Sequence, residues 1–303
     1  MPAPLAYLNG RLVPQSEAYL PLHDAGFVFG ATVTDLCRTF HHRLFRLGDH
    51  LDRFRRSCRS ARIAQPVSDE DLTRIAEALV GQNAGLLEPG QELALVLVAT
   101  PGPIGYYAGL PGGPGDGPPT LALHTFPLPF ARYGRLFREG AHLVVPSVRQ
   151  VPADTVDPRI KQRSRLHWWL AEQEVHRSDP AAAALLLDAH GHVTETAAAN
   201  FLIVRNGRVL SPPQHRILAG VSLRTVRELC AAQAIPFEER ELTLHDCLCA
   251  DEALLTCTSY CLAGVRRIDG IELSWPGPVT TTLSESWSRV VGLDYRAQIL
   301  AAR

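Results

Sequence analysis

Lysine is almost missing from this chain. Of the 30 Lys and Arg residues among 303, 29 are arginine and one, Lys161, is lysine. Charge of one sign is lacking too: 31 acidic against 30 basic residues leave a net charge of −1, so no global field draws the chain to nucleic acid or to an anionic membrane. No apolar run approaches the roughly 18 residues that a membrane-crossing helix needs. The opening Met1-Pro2-Ala3-Pro4-Leu5-Ala6-Tyr7 has neither the basic region nor the apolar stretch of a secretory signal. The seven cysteines form no Cys-x-x-Cys pair, and Cys247/Cys249 and Cys257/Cys261 have no partners at zinc-site spacing. These shortages argue against a membrane protein, a nucleic-acid binder and a metal site, and for a cytoplasmic protein with free, buried thiols.

The lysine shortage bears on chemistry. Arginine serves wherever a generic positive charge is enough, but its guanidinium stays protonated and is a poor nucleophile. A task that needs a deprotonatable primary amine, such as Schiff-base formation, keeps its lysine. A single surface lysine retained by chance is the alternative, and the count alone does not choose.

What is present reads as hairpins with helices between them. Asn9-Gly10 separates the apolar runs Leu5–Leu8 and Arg11–Val13, a strong hairpin signal. A second hairpin is expected from Leu36–Phe40 and Leu44–Leu47. Asp49 is placed to cap a helix to about Ile63, and Ser68-Asp69-Glu70-Asp71 to start another toward Leu87. Strands are expected at Glu92–Ala99 and Leu121–Phe126. Between them lies 101–119, in which 13 of 19 residues are Gly or Pro: a surface loop whose Tyr106 and Tyr107 could form a lid over a site.

The second half offers strands at His142–Pro146, Ala184–Asp188, Val193–Glu195, Asn200–Val204, Glu252–Thr256 and Val265–Ile268. Helices are expected over Arg165–His176 and from Gly220 to Ala231. The class is α+β with two domains, residues 1–126 and 137–303, joined by a linker at 127–136 that begins Pro127-Leu128-Pro129.

Several motifs fall in order along this pattern. They are Tyr7-Leu8-Asn9-Gly10, Phe29-Gly30, Leu44-Phe45-Arg46-Leu47, His50-Leu51-Asp52-Arg53, Ala250-Asp251-Glu252-Ala253 and Ile268-Asp269-Gly270. The most specific is Leu187-Asp188-x-x-Gly191-x-Val193-Thr194-Glu195, which leads into Ala199-Asn200-Phe201-Leu202. Together they resemble the class IV aminotransferases, the family of branched-chain and D-amino acid aminotransferases and aminodeoxychorismate lyase. The resemblance implies the two-domain fold type IV, pyridoxal 5'-phosphate (PLP) as cofactor, a homodimer, and transfer of an amino group between an amino acid or amine and a 2-oxo acid.

It also implies roles. Lys161 matches the lysine that holds the cofactor covalently and moves the substrate Cα proton, and Glu195 the carboxylate that pairs with the pyridine nitrogen. Arg53 matches the arginine on the cofactor phosphate, with Arg55, Arg56 and Arg59 left as solvated helix faces. Val221 and Ser222, opening a helix, and Thr258 match further phosphate contacts. Ser259 lies in a turn whose amides meet the substrate carboxylate in the family.

Three positions depart from the branched-chain pattern. Thr34-Asp35 replaces an aromatic–glutamate pair, Arg165 replaces the tyrosine on the cofactor phenolate oxygen, and Cys257 replaces a glycine. Thr34, with Tyr106 and Tyr107, is therefore the substrate-side candidate, and a polar, carboxylated or bulkier donor is expected over leucine, isoleucine and valine. An inward Arg165 would need an anion, for which Asp35 or substrate is available. Arginine at 165 also resembles the lyase branch, so PLP-dependent aminodeoxychorismate lyase is the alternative. A phosphate-ligand-binding protein without catalysis is a remoter one that leaves Lys161 and Glu195 unexplained.

Overall fold

The computed structural model describes residues 3–302 and divides the chain into two compact units. The first runs to Leu128 and takes back Ile160–Ser164; the second holds Pro129–Arg159 and everything from Arg165.

The first unit is a six-stranded sheet in the order β2-β1-β6-β5-β3-β4. Its strands are β1 (Leu5–Leu8), β2 (Arg11–Pro14), β3 (Val33–Phe40), β4 (Arg43–Leu44), β5 (Leu93–Thr100) and β6 (Thr120–Pro127). Asn9 and Gly10 both take positive φ, which turns β1 into β2 as the Asn-Gly signal requires. The apolar run of β5 fits its central place between β3 and β6, buried on both faces. Helices α1 (Leu47–Ser60) and α2 (Asp69–Ala84) cover one face. Leu47, Leu51, Phe54 and Cys58, spaced four, three and four apart, form the stripe of α1 that meets Val33 and Cys37 of β3 in a common core. The second hairpin is shorter than expected. β4 ends at Leu44, because Arg46 turns left-handed at φ 58° and α1 begins at once.

The Gly/Pro-rich segment has more structure than a bare loop. Gly105–Ala108 form a 3-10 turn, closed by hydrogen bonds from Tyr106 N to Gly112 O and from Leu110 N to Gly105 O. Its start is tied to the core through Ala25 N donating to Gly102 O and Ile104 N donating to His23 O.

The second unit opens with helix α3 (Phe130–Glu139), which occupies most of the stretch expected to be a linker. Pro129 precedes the helix without interrupting it, and Phe130 and Gly134 are buried, so the segment packs rather than bridges. Then follow β7 (Ala141–Val144), α4 (Leu166–His176), β8 (Ala183–Leu187), β9 (Val193–Thr196), β10 (Asn200–Arg205), β11 (Arg208–Ser211), α5 (Val221–Ala232) and β12 (Phe237–Glu239). β13 (Glu252–Cys257), β14 (Cys261–Ile268), β15 (Ile271–Glu272), α6 (Pro278–Val291) and α7 (Tyr295–Ala301) complete it. The two last helices had no reading in the sequence. The nine-stranded sheet runs β12-β11-β10-β13-β14-β7-β8-β9, with β15 on β14. β9 also pairs back on β10 at a single register, Glu195 opposite Asn200, closing the strands into a ring.

Candidate active site

In the first unit, Lys161 sits on a short extended segment laid against the start of β3. Thr34 N donates to Lys161 O at 2.9 Å, Arg163 N to Thr32 O at 2.9 Å, and Lys161 N to Ser57 Oγ at 3.2 Å. Ser164 Oγ donates to Gly30 O at 2.8 Å, so both ends of the segment are pinned. The chain therefore leaves the second unit to deliver its one lysine, half-buried, to the sheet of the first. A single cut near residue 130 does not capture this, because the returning segment is only five residues long and carries no periodicity.

Beside it, β3 presents Thr34 and Asp35 to opposite faces. Asp35 points to the α1 side and is fully buried. Arg53 donates to it twice, Nε to Oδ2 at 2.8 Å and Nη2 to Oδ1 at 2.7 Å. His50 Nδ1 lies 2.7 Å from Oδ1, and since a carboxylate only accepts, that nitrogen carries the proton. Burial alone would raise the Asp35 carboxyl, but the charge of Arg53 and the hydrogen bonds from His50 and Arg53 hold it well below the usual carboxylate range. Burial also dominates at His50 and lowers its pKa, against the pull of Asp35.

Two of the three guanidinium nitrogens of Arg53 are thus engaged by Asp35, which narrows the multidentate phosphate grip expected of this arginine. Asp35, in turn, is not waiting for Arg165. His50 was missed as a partner, although His50-Leu51-Asp52-Arg53 puts His50 and Arg53 three residues apart, on one helix face. Arg56 is exposed and pairs with Asp52 at 2.8 Å, as a solvated helix face should, whereas Arg55 is half-buried, held by Asp69 at 2.5 Å and by the Val67 carbonyl. Thr34 is 2 % exposed, and its Oγ1 has no hydrogen-bond partner among the described residues. Tyr106 and Tyr107 are exposed, with their rings 4.8 Å apart.

In the second unit, Glu195 lies at the end of the ring-closing strand, 8 % exposed. Its Oε2 accepts from Asn200 Nδ2 at 2.9 Å and its Oε1 from Leu218 N at 3.2 Å, which fixes the plane of the carboxylate. Asp188, in the same motif, accepts from the backbone of His190 and His192 and from Arg216 Nη1 at 2.8 Å, holding the turn ahead of β9.

Helix α5 starts at Val221 after Gly220, with no side chain capping its N-terminus. A Cβ on Gly220 would stand 2.0 Å from Asn200 Oδ1, so only glycine allows this approach. Ser222 is buried in the first turn. Such an end, with uncapped N–H groups and a hydroxyl beside them, is suited to a phosphate, and a buried oriented carboxylate to a protonated ring nitrogen. This donor set fits PLP. Thr258 and Ser259 occupy the β13–β14 turn, which Thr256 Oγ1 stabilises by donating to Cys261 O at 2.8 Å. Arg165 precedes α4; its Nη2 donates to Ala197 O and its guanidinium carbon lies 5.9 Å from the Trp168 ring centroid.

This α+β chain carries its one lysine on a pinned segment of the first unit, and an oriented buried carboxylate and an uncapped helix end in the second, which are the residue types a PLP enzyme uses. Residues 32–268 match the family model for amino-transferase class IV, and the chain belongs to that family. It is 30% identical over 288 residues to a Methanocaldococcus jannaschii protein provisionally described as a branched-chain-amino-acid aminotransferase, covering 94% of this chain and 95% of the relative. It is 26% identical over 283 residues to the D-alanine aminotransferase of Listeria monocytogenes, covering 92% and 93%. Among solved structures, the branched-chain aminotransferase of Thermoproteus uzoniensis with norvaline superposes with a TM-score of 0.81 at 25% identity, covering 96% of this chain and 95% of that one. The Escherichia coli branched-chain enzyme shares the fold, with a TM-score of 0.85 at 21% identity and the same coverage. Among the described residues no helix is long and apolar enough to cross a membrane.

Proposed function

We propose that this protein is a PLP-dependent transaminase exchanging an amino group between an amino acid, or a primary amine, and a 2-oxo acid. The single observation that carries the reading is the only lysine of the chain, pinned on both sides of its backbone to β3 and Ser57 within a class IV aminotransferase sequence. PLP, when bound, supplies an electron sink for charge developing at the substrate Cα.

The residues of the chain do the rest. Lys161 Nζ anchors the cofactor and takes the proton from the substrate Cα. Glu195 holds a proton on the ring nitrogen. The first amides of α5, the Ser222 hydroxyl, Thr258 and Arg53 bind the phosphate. Arg165 orients near the cofactor ring oxygen, the Ser259 turn receives the substrate carboxylate, and Thr34, with Tyr106 and Tyr107, meets the donor side chain. The working form is a cytoplasmic homodimer.

A panel of L- and D-amino acids and amines, each paired with 2-oxoglutarate or pyruvate and run beside an aminodeoxychorismate assay, tests the reading. Stoichiometric amino transfer is the expected result. Pyruvate release from aminodeoxychorismate with no transfer from any donor would overturn it in favour of the lyase.

A further inference from the structure

Three segments of the second unit that the proposed function assigns to the cofactor meet at one residue with no assigned role. Asn200 opens β10 and is 4 % exposed. Its Nδ2 donates to Glu195 Oε2 at 2.9 Å and to Leu218 O at 3.0 Å. A carboxylate and a backbone carbonyl only accept, so the amide cannot be turned the other way round. Its Oδ1 faces Gly220, where an added Cβ would come within 2.0 Å. Leu218 N donates to Glu195 Oε1 and Gly220 N to Leu218 O at 2.8 Å, so Glu195, Leu218 and Asn200 form a closed circuit that ends at the first turn of α5. The Asn200 backbone pairs with Glu195 on one side and with Thr256 on the other, two residues before Thr258.

Such a circuit is more than packing. Glu195 has to present its carboxylate in one plane, and the α5 amides have to stand at one distance from it, if ring nitrogen and phosphate of a rigid cofactor are to be met together. A one-ångström error at either end loses most of the benefit of the other. The Asn200 side chain touches the carboxylate, the Leu218 carbonyl and the glycine at once. Aspartate, of the same size, would set a second negative charge against Glu195 and take from Leu218 O one of its two donors, leaving Gly220 N.

We propose that Asn200 is a positioning residue that fixes the distance and orientation between the Glu195 carboxylate and the anion-binding start of α5. The proposal rests on the reading of Glu195 as the partner of the ring nitrogen.

Wild-type protein and the Asn200→Ala, Asn200→Asp, Gly220→Ala and Glu195→Gln variants are prepared without cofactor and titrated with PLP and with inorganic phosphate. The visible spectra of the loaded enzymes are then followed against pH. Asn200→Ala is expected to weaken PLP and phosphate binding by about tenfold, the scale of one or two lost buried hydrogen bonds. It also moves the pH dependence of the spectrum toward that of Glu195→Gln and lowers kcat with little change in KM. Asn200→Asp displaces the spectrum further than alanine does. Gly220→Ala, whose collision is with Asn200, displaces it in the same direction.

If Glu195→Gln changes spectrum and turnover while the Asn200 and Gly220 variants keep wild-type spectra and phosphate affinity, the positioning role is wrong and the Glu195 reading stands. If Glu195→Gln itself changes neither, the reading beneath the proposal falls and takes it along. Should Asn200→Ala fail to fold, Asn200→Asp and Gly220→Ala decide by the same criteria.

Discussion

Asp35 and Arg53 are joined by two parallel hydrogen bonds in the core between β3 and α1, where both side chains are almost fully buried. An arginine needed for phosphate alone could be removed from the unloaded protein at little cost. Here its removal leaves a buried carboxylate with a neutral histidine as its main side-chain partner. Arg53→Ala is therefore expected to lower the stability of the unloaded protein by about 3–5 kcal/mol, in addition to weakening PLP binding. Arg53→Lys recovers only part, because an ammonium cannot give the paired, planar contact. Urea unfolding of the unloaded variants checks this; unchanged stability would show that the pair is incidental.

The same cluster sets an acid response. The folded pKa of His50 is lowered, so as pH falls below about 6.5 the unfolded chain takes up a proton that the folded His50 refuses, and stability declines. The folded pKa of Asp35 is also lowered, so its contribution is complete above the unfolded carboxylate value and is lost as pH drops below about 4. Unfolding free energies across this range, wild type against His50→Gln, are expected to differ in slope just below about pH 6.5. Parallel curves there would remove His50 from the acid response.

How much of this could be read in the sequence depends on the range of the interaction. The Asn9-Gly10 hairpin, the apolar stripe of α1 and the buried β5 are written in local spacing, and the structure has them where that spacing puts them. Lys161 and Glu195 could be nominated from composition and motif. The return of Ile160–Ser164 to β3 could not, since it depends on backbone hydrogen bonds between residues some 130 apart in sequence. Asp35 was legible as a departure from a pattern but not as the partner of Arg53, because strand alternation does not say what stands across the face. Asn200 lay inside a quoted motif with nothing to mark it, its role being visible only when Leu218 and Gly220 are brought beside it. The helix over 130–139 was hidden by the two prolines ahead of it, Pro127 and Pro129.

Lys161 offers a clean chemical test. After borohydride reduction of the loaded enzyme, peptide mass mapping is expected to find the cofactor on the peptide containing residue 161. Lys161→Ala and Lys161→Arg both lose the covalent linkage and turnover, arginine giving no rescue because its guanidinium does not act as an amine nucleophile. Since the lysine backbone is held by Thr34 N and Ser57 Oγ, neither substitution should unfold the segment. Label on the N-terminal amine instead, or turnover by either variant, contradicts the assignment.

Glu195→Gln separates electronics from binding. The amide oxygen can keep only one of Asn200 Nδ2 and Leu218 N, which now donate to different carboxylate oxygens, so the other meets an NH2 group, at a cost of about 1–3 kcal/mol. The covalent linkage should still form, because it depends on Lys161. Turnover is expected to fall by about two orders of magnitude, the scale of losing a charge interaction made in the transition state. Single-turnover rates of the loaded variant measure this directly, and a rate within a few-fold of wild type would count against the role of Glu195.

Donor specificity is expected to turn on Thr34. Its side chain replaces an aromatic wall of the branched-chain pattern, and its buried hydroxyl has no partner among the described residues. A buried hydroxyl without a partner favours a donor that brings one, while loss of the aromatic surface removes roughly 1–3 kcal/mol of preference for an aliphatic side chain. Asp35 cannot supply the missing polarity, because its oxygens are held by His50, Arg53 and Leu36 N. Polar or carboxylated donors are therefore expected to exceed leucine, isoleucine and valine in kcat/KM. Thr34→Val, which keeps the shape and removes the hydroxyl, should lower the polar donors by about tenfold and leave the aliphatic ones unchanged or better. The same substitution leaves the Thr34 N bond to the Lys161 carbonyl intact, so a general loss across all donors would point to damage at the lysine segment instead of specificity. If branched-chain amino acids head the wild-type panel by a wide margin, Thr34 does not set the donor class.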